Sequence, residues 1–360
     1  MRVLIFPNDK SKIGNPYCDL LYGNMAKLGV LTEPFTPSRA FSGKYDIFHL
    51  HWPEYYLSRS LPKALVGSFG LLFFVVWLRL RGTRIVWTAH NLHSHNGRYP
   101  AAERWFWRVL TRLMDGYIAL SETSANQARA KFLPLRSLQA SVIPHGHYRA
   151  SYPATITRAD ARLQLGLSST ENVLLFFGGI SPYKNVPHLI ETFQRAALPD
   201  TTLLIAGCPA TQNDDSAVKN LVKHGDRIQL HLQRIPTDQV QVFFAAADLV
   251  VLPFLEIMNS GSAILALSFD RPVLVPNRGS LPELQAQVGS DWVRTYAAQL
   301  SPSEFKPAIA WSRTHKGEPQ PNLAGFSWPS IARDTLSMYE RLVATASPNN
   351  YVSTYGTDRA

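Results

Sequence analysis

Residues 172–185, NVLLFFGGISPYKN, run from a short apolar stretch into Gly178 and Gly179 and reach Lys184 six positions beyond Gly178. The apolar stretch is brief and aromatic-rich, the mark of a buried strand rather than a helix. The two glycines leave the backbone bare where it turns, so a phosphate can approach closely, and Lys184 can add its charge. A Gly-Gly pair after a strand also occurs in ordinary tight turns.

The same rhythm surrounds it on both sides. RVLIF, DIFHLH, TRIVWT, GYIAL and ASVI alternate with amphipathic stretches through the first 145 residues, and NVLLFFGG, TTLLIAG, RIQLH, DLVVLPF and RPVLVP repeat the alternation. Strands separated by helix-length segments predict parallel sheets with helices on both faces, hence an α/β chain of two Rossmann-like domains. The expected limits are 1–150 and 160–329, with a boundary near 148–160 where Pro144 and Pro153 punctuate the chain and Thr157 with Asp160 can cap a helix. A helix over about 330–346, with apolar spacing at Ile331, Leu336, Tyr339 and Leu342, is expected to pack back on the first domain.

Composition agrees with this outline. A chain of 360 residues exceeds one core, and 46% hydrophobic against 17% charged residues describes a folded chain. The formal charge of +10 implies an anionic partner: nucleic acid, a phosphorylated ligand or an acidic membrane leaflet. No recognition helix, zinc spacing or aromatic sheet signature supports nucleic acid. Cys18 and Cys208 form no paired spacing, which fits a reducing cytosol. MRVLIF reads as a first strand and not as a leader. The longest apolar run, ALVGSFGLLFFVVWL at 64–78, falls short of the ~20 residues that cross a bilayer. Bracketed by Lys63, Arg79, Arg81 and Arg84, it reads either as a core helix or as a helix dipping into an anionic membrane surface.

Open parallel sheets bind ligands at the carboxyl ends of their strands, and two facing domains make one cleft there. PFLEIMNSGSAILALSFDRPVLVP, residues 253–276, ends a strand and starts a helix at NSGS, where Asn259, Ser260, Gly261 and Ser262 can offer hydroxyls and amides to a diphosphate or merely cap the helix. In the first domain, DIFHLHWPEYYL at 46–57 finishes a strand with His49, His51, Trp52, Glu54 and Tyr55. His90 in TAHNL ends another strand, and Glu122 follows a further one.

The two-domain pattern with GGISPYKNVPHLI, DLVVLPF and NSGSAILALSFDRPVL resembles nucleotide-sugar glycosyltransferases of the GT-B fold, near family 4. HLHWPEYYL, TAHNLHSH, IPHGHY and the late Trp328-Pro329 make it similar, more narrowly, to the GDP-mannose-dependent β-mannosyltransferases of xanthan-type exopolysaccharide assembly. That resemblance implies inverting transfer of mannose to a polyprenyl-diphosphate-linked oligosaccharide by an enzyme peripheral on the cytoplasmic face of the cell membrane. Family 4 typically carries two glutamates eight positions apart; Met258 and Ala266 stand there, and Gly179 replaces the arginine that commonly follows the first glycine. A retaining hexosyltransferase using a UDP- or GDP-sugar, or a GT-B-shaped epimerase or hydrolase, is the alternative.

An inverting displacement needs a base at the acceptor hydroxyl. Glu54 is the expected base, beside two tyrosines that favour a raised pKa, unless it serves only as a helix-start carboxylate. His51 and His90 are the other catalytic candidates, and His49, Trp52 and Tyr55 the acceptor-binding ones. Gly178, Gly179, Lys184, Asn259, Ser260, Gly261 and Ser262 are the donor-binding set. His145, in IPHGHY, is a donor contact or part of a hinge, and Glu283 a ribose ligand or a surface helix-start acid. No D-x-D occurs, and Asp214-Asp215 lies in QNDDS, which reads as a surface loop, so no metal or other cofactor is expected.

Overall fold

Every strand pairing in the computed structural model, which describes residues 1–7, 16–94, 97–313 and 320–345, is parallel. Six strands form a first sheet: β1 Arg2–Phe6, β2 Leu31–Pro34, β3 Ile47–Leu50, β4 Arg84–Ala89, β5 Gly116–Ala119 and β6 Gln139–Val142. Six more form a second: β7 Asn172–Phe177, β8 Thr201–Ala206, β9 Ile228–His231, β10 Leu249–Val251, β11 Val273–Pro276 and β12 Val293–Tyr296. The orders are β2-β1-β3-β4-β5-β6 and β12-β11-β10-β7-β8-β9.

Strand order therefore reverses between β1 and β3 in one sheet and between β7 and β10 in the other. At such a reversal the loops leaving two adjacent carboxyl ends diverge, and a crevice opens between them. The interior strands are buried on both faces because helices cover each side: β3, β5, β8 and β11 are buried throughout.

Ten of the strands are the runs read from the sequence; β2 and β12 are not among them. Both are edge strands, and β2, LTEP, has no fully buried residue, so neither carries an apolar run. QNDDS is not a loop. It opens the helix Gln212–Lys219, whose cap Thr211 accepts from the Asp214 amide at 3.2 Å and donates to its carboxylate at 2.7 Å.

The chain divides into two units. The first comprises Met1–Leu120, Ala125–Ile143 and the C-terminal stretch from Pro329; the second comprises Ser121–Ser124 and Pro144–Trp328. The last described helix, Trp328–Ala344, lies against the first sheet, where a Cβ on Gly116 would stand 2.8 Å from Met338 and 3.0 Å from Leu342.

The apolar run is a helix of 20 residues, Leu61–Leu80, with two unlike faces. Ala64, Ser68, Leu71, Leu72, Val75 and Leu78 are buried. On the opposite side Val66, Phe69, Phe73 and Leu80 are 75%, 55%, 53% and 81% exposed. By length and composition this helix can cross a membrane, yet only a third of its most apolar window is buried.

In the second unit Arg162 is 2% exposed and spends its guanidinium on the carbonyls of Ala246, Ser168, Ser169 and Glu171 and on the Asp248 carboxylate at 2.8 Å. This ties the helix Arg158–Gln164 to the starts of β7 and β10. Arg162→Ala leaves several carbonyls without their donor, while Asp248 keeps Arg158 and the Val173 amide, so urea unfolding should show a loss of about 1–3 kcal/mol.

Candidate functional site

In the first unit, β3 places His49 and His51 on one face, because side chains alternate along a strand. The register of β3 with β4, Leu50 beside Trp87, puts Thr88 on that same face. All three are fully buried. His49 Nε2 lies 2.7 Å from Thr88 Oγ1, and its Nδ1 lies 2.9 Å from Tyr22 Oη and 2.5 Å from Tyr339 Oη. Tyr22 Oη also stands 2.6 Å from His51 Nε2, and His51 Nδ1 stands 3.1 Å from His90 Nε2. Burial pulls His49 down to about 3, so it is neutral, and pushes the phenols of Tyr22 and Tyr339 well above their ordinary range.

Half-buried His90 stacks on Trp52 at 4.2 Å between ring centres, and Tyr17 meets it edge-on at 4.7 Å. Glu54 sits in the first turn of the short 3-10 helix Pro53–Ser58, 5% exposed, and its Oε1 accepts from Asn91 Nδ2 at 3.1 Å. The strand end of β3 thus brings together His49, His51, Trp52 and His90, with Glu54 one turn beyond. Tyr55 instead pairs its hydroxyl and ring with Arg59. Glu122 is exposed at a helix start.

In the second unit, Gly178 leaves β7 with φ +138°, a backbone that side-chain-bearing residues rarely adopt. A Cβ there would stand 3.2 Å from Ser262 Oγ and 4.0 Å from Lys184 Nζ, so the glycine, the lysine and the helix Gly261–Ser268 converge. Lys184 lies 3.4 Å from Ser262 Oγ and 4.3 Å above the Phe254 ring, and burial lowers it to about 8. Gly179 faces the Cys208 carbonyl more distantly. Ser260 caps its own helix, accepting from the Ala263 amide at 3.1 Å. Asn259 Oδ1 lies 3.3 Å from Ser121 Oγ, and its buried Nδ2 has no hydrogen-bond partner among the described residues.

His145 donates from Nδ1 to the Gly146 carbonyl at 2.8 Å and turns Nε2 toward Tyr148 Oη at 3.2 Å; burial lowers it to about 4. A Cβ on Gly261 would lie 3.4 Å from Tyr148 Oη and 3.8 Å from His145 Nε2, which brings the IPHGHY turn to the same helix start. Glu283 is engaged elsewhere in this unit: its carboxylate accepts from the Glu122 and Thr123 amides, both at 3.1 Å. Sequence reading missed Tyr22, Thr88, Asn91, Tyr148 and Tyr339. For Thr88 the available signal was its place two residues before His90.

The second unit can therefore hold an anion between helix-start amides, hydroxyls and one ammonium, and the first presents a cluster of imidazoles beside a carboxylate. Residues 171–310 match the family model for group 1 glycosyl transferases. The chain is 30% identical over 332 residues to the GDP-mannose:glycolipid 4-beta-D-mannosyltransferase of Xanthomonas campestris pv. campestris, covering 92% of this chain and 89% of that one. Among solved structures it is similar to sucrose-phosphate synthase from Thermosynechococcus elongatus, with TM-score 0.72 and 18% identity over 96% of this chain and 99% of that one. It is also similar to Anabaena HepE in complex with UDP-glucose, with TM-score 0.64 and 16% identity over the same shares. These structures show the GT-B fold.

Because the Lys184 ammonium is lost as pH rises through about 8, affinity for GDP or UDP by isothermal titration should hold below that pH and fall above it. Lys184→Ala should weaken binding at pH 7 by roughly tenfold to a hundredfold, the worth of a charge-assisted contact, and flatten the alkaline fall.

Proposed function

The chain belongs to the group 1 glycosyl transferases, and on that premise we propose that it transfers mannose from GDP-mannose, with inversion, to a polyprenyl-diphosphate-linked oligosaccharide in exopolysaccharide assembly. The observation that carries this reading is the nearly full-length likeness to a glycolipid mannosyltransferase. The absence of the family's paired glutamates at Met258 and Ala266 favours single displacement over retention.

In this mechanism the acceptor hydroxyl gives its proton to Glu54 as its oxygen bonds the anomeric carbon. The bond from that carbon to the phosphate oxygen breaks, and GDP leaves with the electron pair. Burial beside Asn91 keeps Glu54 in one orientation. Trp52 and His90 offer a stacked aromatic surface and a polar edge to a sugar. Lys184, Ser262, the amides at Gly179 and Gly261, and the spare Asn259 donor meet the diphosphate where Gly178 leaves room for it, with His145 beside them. No divalent cation is part of this proposal, since those groups supply the positive potential.

A lipid-linked acceptor requires the enzyme to work at a membrane. The exposed apolar face of Leu61–Leu80 fits that need: Leu65, Val66, Phe69, Phe73, Val76 and Leu80 share one side, and Phe69 meets exposed Trp105 at 4.9 Å. Exposed Lys63, Arg79, Arg104 and Arg108 flank it, which suits an anionic leaflet on the cytoplasmic side.

Purified protein given a lipid-linked acceptor and a panel of GDP- and UDP-sugars should yield a β-linked product from GDP-mannose; an α-linked product would return the retaining alternative. Glu54→Gln should lower kcat by about 100-fold or more while GDP binding stays intact. Cosedimentation with vesicles containing anionic lipid should be strong for the native protein, and about tenfold weaker for Phe69→Asp, which takes one aromatic ring from the exposed apolar face.

A further inference from the structure

Trp328 is the last residue of the second unit and the first of the helix Trp328–Ala344, and the proposed chemistry gives its indole no task. It lies 181 positions from His147, yet its Nε1–H donates to the His147 carbonyl at 2.7 Å. We propose that Trp328 is a positioning residue that holds the turn 144–148, and His145 within it, against the start of the helix Gly261–Ser268. The inference rests on the reading of His145 as a contact to the donor diphosphate.

The turn is gripped from two sides. On one side the indole packs directly on the Gly146 backbone: a Cβ there would stand 2.3 Å from Cε2 and 2.6 Å from Cδ2 and Cζ2. Gly146 has no left-handed backbone, so it is the space taken by the ring, and not a backbone angle, that demands glycine. Trp328 is 4% exposed, which leaves the ring little room to swing aside. The His147 amide donates to the Phe326 carbonyl at 2.9 Å, so the segment that carries Trp328 holds both polar groups of the His147 backbone. The His145 ring itself meets the indole edge-on at 6.2 Å between ring centres.

On the other side the Tyr148 amide donates to Ser268 Oγ at 2.8 Å, at the far end of the helix whose start faces His145 Nε2 and Tyr148 Oη. Gly146 and His147 are thus fixed by Trp328 and Tyr148 by the helix, and His145 stands next to the fixed stretch. A diphosphate at the helix start favours a protonated imidazole, whose Nε2–H can then meet the anion. With the indole in place the ring is ordered before the ligand arrives; without it, binding must order the turn, and affinity falls.

The test is isothermal titration of the full-length protein with GDP, and with UDP in parallel, at pH 7. Trp328→Leu and His145→Ala should each weaken nucleotide binding by about tenfold, the worth of one hydrogen bond to a charged group. The double variant should bind within about twofold of His145→Ala alone, because nothing is then left to position. Gly146→Ala, which reaches the same contact from the turn, should show the same loss and the same dependence on His145, and takes the place of Trp328→Leu if that variant does not fold. Leu342→Ala, buried in the same helix, should lower the melting temperature with nucleotide affinity unchanged, which separates positioning from loosened packing. Native affinity in Trp328→Leu, or losses that multiply in the double variant, would overturn the proposal while His145 keeps its role. Native affinity in His145→Ala, or binding of neither nucleotide by the native protein, would overturn the donor-contact reading itself.

Discussion

A parallel strand can be joined to its neighbour only by a crossover, usually a helix, that carries the chain back to the starting edge. All carboxyl ends of a sheet therefore share one edge, and the amino ends of the following helices lie beside them. The two reversals of strand order, β1 with β3 and β7 with β10, are where those loops part, and each candidate cluster sits at one of them. His49 and His51 follow from β3 and Gly178 from β7, while the turn that begins the helix at Gly261 follows from β10. The parallel pairing comes first; the residues at its edge acquire their surroundings from it.

The two edges solve different electrostatic problems. Behind β3 the groups are enclosed: burial drives His49 down to about 3, so it is neutral, and both its ring nitrogens are met by hydroxyls. Charge on His49 would be expensive there, and hydrogen bonds to neutral hydroxyls replace it. At the end of β7 the balance differs. Lys184 is lowered only to about 8, so it remains largely cationic at neutral pH, against an aromatic ring and a serine hydroxyl rather than a carboxylate. A cation with no carboxylate partner among the described residues, beside a glycine whose missing side chain leaves room, is suited to an anion arriving from solution.

The membrane-facing features follow from the same economy of burial. Leu61–Leu80 needs only one apolar face to cover the sheet, and that need is met by Ala64, Leu71, Leu72, Val75 and Leu78. The second apolar face contributes nothing to the core. Its sequence run offered two readings, core helix or interfacial helix; the core reading describes one side, and the exposed side has the character the other requires. Similarly, Asp214 and Asp215 looked like loop residues by polarity, but Thr211 in front of them supplies the cap that turns such a stretch into a helix start.

Local pattern determined much of this protein on its own. Ten strands were legible, eight because a strand covered on both faces must be apolar and the edge strands β6 and β9 by their short runs ASVI and RIQLH, and the H-x-H of His49 and His51 fixed a shared face because side chains alternate. Gly178, Lys184 and the Ser260–Ser262 turn were legible for a like reason, since strand end, bare backbone and helix start are each short-range features. Tertiary structure decided what lies far apart in the chain. Tyr22, Thr88 and Tyr339 reach His49 only through packing, the β2 and β12 edges are strands only because a neighbour offers hydrogen bonds, and Glu283 caps two distant amides instead of standing free. Periodicity records which way a side chain points relative to its own element; which atom it meets depends on where another element comes to rest.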